Sequence, residues 1–156
     1  ASAPPGQDDE HSSEVRSIRD IAYVFFLAAV LCVTGGMFWG LQMGISGDHT
    51  MAGAHVHLNL VGWATMALFG IYYRLTPQAA RGGLPWVHAV LAIAGVANML
   101  GGLYIVLGGG SPVPAIVGSV LSFASMLLFL FTVIRQGFGA AEARRSAPGA
   151  ALAPAE

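Results

Sequence analysis

Residues 21–44 read IAYVFFLAAVLCVTGGMFWGLQMG, 24 positions without one charged side chain. At 1.5 Å per residue such a run makes a helix of about 36 Å, enough to cross a hydrocarbon core of roughly 30 Å. Comparable apolar stretches follow at 54–75, 84–107 and 113–134. Backbone inside hydrocarbon must satisfy its own hydrogen bonds, so all four are expected to be helices. Chain breakers fall between them: Gly47-Asp48 after the first, Pro77 after the second, Gly82-Gly83 and Pro85 before the third, and Gly108 to Pro112 before the fourth. The first stretch is too long for a secretory signal and runs on without a small-residue cleavage site, so it reads as a retained helix.

Composition agrees. Of 156 residues, 55% are hydrophobic and 10% charged, whereas a soluble domain carries roughly a quarter charged residues. Seven arginines, no lysine and eight acidic residues leave a formal net charge of −1. There is no basic surface for nucleic acid, and the expected surroundings are membrane lipid. The single cysteine, Cys32, lies in an apolar run and builds neither a disulfide framework nor a thiolate zinc site. The sequence thus predicts an all-α integral membrane protein with a four-helix domain over 16–136. A polar arm over 1–15 and an Ala-, Pro- and Gly-rich tail over 137–156 are expected to be disordered.

The arginines set the orientation. Arg16 and Arg19 precede the first helix, Arg74 and Arg81 flank the connection between the second and third, and Arg135, Arg144 and Arg145 end or follow the fourth. All lie on one side of an even-numbered bundle, and by the positive-inside tendency that side, with both termini, is cytoplasmic. The connections 45–53 and 108–112 then face outward.

Chemistry must come from the few polar groups kept at membrane depth. Around the outer end of the second helix the chain reads Gly47-Asp48-His49-Thr50-Met51-Ala52-Gly53-Ala54-His55-Val56-His57-Leu58-Asn59, placing three of five histidines within nine residues. Ionisable groups there are costly and usually have a partner, and imidazole is the commonest metal ligand. On a helix His55 and His57 stand about 200° apart and serve two different neighbours. On an extended chain both rings point the same way and, with His49, would chelate one ion.

The remaining polar and small residues carry less. His88 opens the third helix far from His57 and reads as a structural or hydrogen-bonding residue, and His11 has no assigned role. Met37, Met43 and Met51 lie near His49; thioether plus imidazole suits Cu(I), although methionine also simply fills apolar space. Gly36, Gly40 and Gly44 recur every four residues on one face of the first helix, the spacing that lets two helix backbones approach closely, within the chain or between subunits.

Residues 48–77 resemble one helix of the heme-copper oxidase catalytic subunit, in which an Asp is followed by six residues, the last of them Ala, then His-x-His, with a Gly and a Pro downstream. Here Asp48, Ala54, His55, His57, Gly70 and Pro77 stand at those spacings. More weakly, Trp86-Val87-His88 and Val117-Gly118-Ser119 are similar to the two helices that follow, so that the likeness covers about 45–135. The chain looks like a small four-helix bacterial protein corresponding to one arc of that subunit, helices nine to twelve.

The resemblance implies an inner-membrane protein whose His-x-His helix binds heme on both faces, His55 matching the ligand of the high-spin iron and His57 that of the low-spin iron. Because the oxidases consist of three similar arcs, it further implies a homotrimer in which His57 of one subunit and His55 of the next hold a b-type heme. Asn59, one turn from His55, would orient a ligand or a propionate. Asp48 and His49 match the neighbourhood of the outer metal site. The expected function is therefore that of a cytochrome b passing single electrons to a redox partner protein, with its His cluster on the periplasmic side. The histidines that complete the oxidase copper site are absent, so oxygen reduction is not expected. A copper- or zinc-binding protein using Asp48, His49, His55 and His57, and a cofactor-free accessory subunit, are the alternatives.

Overall fold

The computed structural model describes residues 20–139. The arm 1–15, Arg16, Arg19, Arg144 and Arg145 lie outside these residues. Asp20 begins the described chain by accepting a hydrogen bond from the Ala22 N–H at 3.3 Å, which satisfies one of the donors that a helix start leaves without a partner. Helix α1 then runs Ile21–Ser46 and stops at Gly47, whose φ of 70° lets its N–H return to the Met43 carbonyl at 2.9 Å.

Three more helices follow. The second, α2, spans Ala52–Leu75, α3 spans Leu84–Leu107 and α4 spans Val113–Gln136. Pro85 and Pro114 sit in the first turns of α3 and α4, where a missing N–H costs nothing. All four helices are long and apolar enough to cross a membrane, α2 being the least apolar. There is no strand among the described residues. The protein is all-helical and its four apolar helices fit a multi-pass membrane protein. Large apolar side chains such as Leu31, Phe38, Leu68, Val90 and Phe123 point outward, as a hydrocarbon surround permits and water does not.

The expected span at 54–75 appears two residues longer at its start and is not one regular α-helix. It is α-helical from Ala52 to His57, π-helical from Leu58 to Thr65, and α-helical again from Met66 to Leu75. The Thr65 hydroxyl follows the wider winding, donating to the carbonyl of Leu60 five residues back at 2.9 Å. Such segments interrupt α-helices most often near functional sites. This one starts immediately after His57.

The interior is densest toward the arginine end. Phe25 of α1, Phe69 and Tyr73 of α2 and Phe129 of α4 surround His88 of α3, which is fully buried. The tail expected to begin at Gly137 is held in place over its first residues. The Tyr72 hydroxyl donates to the Gly137 carbonyl at 2.8 Å, the Gly139 N–H donates to the Thr76 hydroxyl at 3.0 Å, and the Gln78 amide donates to the Gly139 carbonyl at 2.8 Å.

Candidate functional site

The outer connection and the first turns of α2 carry the histidines. Asp48 closes the turn that leads into the helix: its carboxylate accepts from the Thr50 hydroxyl at 2.6 Å and from the Thr50 N–H at 2.9 Å. The Thr50 hydroxyl, and after it the Thr50 N–H, hold the Asp48 carboxyl below the usual carboxylate range. His49, exposed beside it, shares a hydrogen bond between Nδ1 and the Gly47 carbonyl at 3.0 Å. A carbonyl only accepts, so His49 Nδ1 carries the proton.

His57 is fixed by the same logic inside the helix. Its Nδ1–H donates to the carbonyl of Gly53, four residues back, at 2.7 Å. The neutral ring therefore presents the lone pair of Nε2, away from its own backbone and on an exposed side of α2. A histidine whose second nitrogen is held by a carbonyl has its tautomer and ring orientation set in advance for coordination. Val56 precedes it and Leu60 follows three residues on, both exposed and apolar.

His55 takes the other direction. Its ring lies against Gly40 of α1, where an added Cβ would stand 3.0 Å from the imidazole Cε1. One turn along, Asn59 lies against Gly36, where a Cβ would meet the side-chain amide at 2.7 Å. The Asn59 amide donates to the His55 carbonyl at 2.9 Å, and its nitrogen lies 3.4 Å from both ring nitrogens of His55. Gly36 and Gly40 thus serve contact within the chain, making room for the polar side chains of α2. Gly44, the third member of the stripe, has nothing near it.

The backbone is helical through His57, so the extended arrangement that would align His49, His55 and His57 does not form. Among the described residues no group of three His, Cys, Asp or Glu side chains gathers as a metal cluster. His55 and His57 leave the helix toward separate neighbours, the first half-buried against α1 and the second exposed.

Sequence reasoning missed the contact of Cys32, and it read His88 as a structural or hydrogen-bonding residue without naming its partner. Cys32 of α1 packs against Gly62 in the middle of the π-helical segment, where a Cβ would come within 2.9 Å of its Sγ. His88 shares a 2.9 Å hydrogen bond through Nδ1 with the Tyr73 hydroxyl. Both residues flank the short connection between α2 and α3, at matching depth, which is the signal that was available.

The residues present fit a heme as imidazole donors: His57 offers a free Nε2 with its Nδ1 already held, and the His55 ring is accommodated by a missing side chain at position 40. They fit a single metal ion shared by three side chains of one chain poorly, because those side chains diverge. The chain matches no protein-family model, no curated protein and no solved structure.

Proposed function

We propose that this chain is a bacterial inner-membrane cytochrome b, an arc similar to helices nine to twelve of the heme-copper oxidase catalytic subunit. In this reading both termini are cytoplasmic and the His cluster is periplasmic. The functional unit is a homotrimer, which closes the ring that one arc leaves open. A heme between two subunits would be held by His57 of one and His55 of the next, with Asn59 positioning His55.

The observation that carries the reading is the pairing of His57 Nδ1–H with the Gly53 carbonyl. It leaves one imidazole nitrogen of fixed orientation, available at membrane depth, where an unpaired polar group is costly. Divergence of His55 from His57 supports giving the two rings different partners rather than one shared ion. A heme held by two imidazoles supplies one-electron chemistry, its potential set by those ligands and by the polarity around them. The chain's own part is to orient the two rings, to surround them with apolar side chains such as Val56 and Leu60, and to hold the His57 proton on Nδ1. A separate redox protein would deliver or accept the electron.

Absorption spectra of the detergent-purified protein, oxidised and reduced, with elemental analysis for iron, copper and zinc, test this directly. The expected result is iron with a b-type spectrum that carbon monoxide does not shift. His57→Ala abolishes the Soret band, whereas His49→Ala retains it. A protein grown with adequate heme that shows no Soret band, or that carries copper or zinc instead, overturns the proposal.

A further inference from the structure

A serine or threonine on an apolar helix normally bends its hydroxyl back to a carbonyl of the preceding turn. Thr34, Ser119 and Thr132 do this here, at 2.8 to 2.9 Å from the carbonyls of Val30, Ala115 and Leu128. Of the other serine and threonine hydroxyls of the described residues, those of Ser46, Thr50, Thr65, Thr76 and Ser111 also take part in hydrogen bonds. Ser122 and Ser125 do not. Their Oγ atoms are buried and have no hydrogen-bond partner among the described residues, and Ser125 is only 2% exposed.

Both serines line one cavity of about 110 Å³ between α2, α3 and α4. Thr65, at the end of the π-helical segment, forms part of its wall, together with Phe69, Ala92 and Met126. Phe69 also separates the cavity from His88, whose ring centroid lies 4.5 Å from that of Phe69. Gly95 brings α3 so close to Ser122 that a Cβ would stand 2.7 Å from its Oγ, which prevents a bulkier side chain from closing the space on that side.

We infer that this cavity is a binding site for water, held by the Ser122 and Ser125 hydroxyls inside the membrane-spanning bundle. A buried hydroxyl without a partner is costly, and two such serines lining one space favour an occupant that both donates and accepts. Size points the same way. A single water needs only about 10–15 Å³ of such space, so the cavity takes a small hydrogen-bonded cluster. A lipid chain fits poorly, since it would leave both hydroxyls unpaired. The site gives the π-helical stretch of α2 a polar contact to α4, independent of any heme.

Solid-state NMR of the isotope-labelled protein in bilayers with deuterated lipid chains tests this, through magnetisation transfer from water to assigned serine carbons. Transfer to the Cβ atoms of Ser122 and Ser125 is expected to build up several-fold faster than transfer to Ser119, whose hydroxyl is bonded to its own helix. The double variant Ser122→Ala with Ser125→Ala is expected to lose water transfer at Phe69 and Ala92 while keeping its helical spectrum. Equal, slow transfer at all three serines of the unmodified protein overturns the inference, as does contact with acyl-chain protons in protonated lipid. Because the unmodified protein decides the outcome, a double variant that fails to fold does not rescue the idea.

Discussion

The imidazole of His55 occupies the place that a side chain at Gly40 would take, with 3.0 Å between the would-be Cβ and the ring Cε1. One small residue on α1 therefore sets the position of one candidate ligand on α2. Gly40→Val forces the ring aside, because a branched side chain fills the space the ring now uses. The heme-to-protein ratio is expected to fall at least several-fold while helix content, followed by circular dichroism, stays unchanged. A variant with full heme content would show that His55 is not a ligand. It would leave His57 to be examined by itself.

Tyr73 and His88 form the deepest polar contact of the bundle, a 2.9 Å bond inside a group of aromatic rings. Tyr73→Phe leaves His88 Nδ1 with no partner from that side chain, adding to an Nε2 that already has none among the described residues. Loss of one buried partner in a membrane bundle costs about 1–2 kcal/mol. Unfolding in mixed detergents is expected to show a loss of that size, with the heme spectrum unaltered, since the pair lies at the end of α2 remote from His57. An altered spectrum would tie His88 to the cofactor.

Asp48 provides the pH-dependent element of the outer turn. Its carboxyl is held low by the Thr50 hydroxyl and N–H, so the folded turn favours the ionised form. The contribution of this contact is complete above the ordinary carboxylate value and is lost as pH falls through the lowered one. Thr50→Val removes the hydroxyl and keeps the backbone donor, and the Asp48 titration is expected to move up toward its ordinary position. Chemical shifts of the Asp48 carboxyl carbon, followed from neutral to acid, check the direction.

Much of the fold was legible because membrane spans depend on composition, which a single chain carries in full. The apolar stretches 21–44, 54–75, 84–107 and 113–134 lie within two residues of every helix boundary. The separation of His55 from His57 was legible from helical geometry, because Ala52–His57 is a regular α-helix. The π-helical winding of Leu58–Thr65 was not. Within it Gly62 packs against Cys32 of α1, and no residue type marks a π-helix on its own. The glycine stripe announced close packing without naming what would fill it. Ser122 and Ser125 looked like ordinary small residues, and only the burial of their hydroxyls without a partner among the described residues sets them apart.

The winding of Leu58–Thr65 also works as a coupling joint. Each residue of an α-helix turns its successors by about 100° and each residue of the wider π winding by less, so rewinding this stretch as a regular α-helix with all its residues kept would swing one half of α2 against the other. Either His55 would leave its bed on Gly40, or Phe69 and Tyr73 would turn away from His88. The outer and inner halves of the molecule are thus indexed to each other like two dials on one shaft, and a one-residue slip between them cannot go unnoticed at both ends.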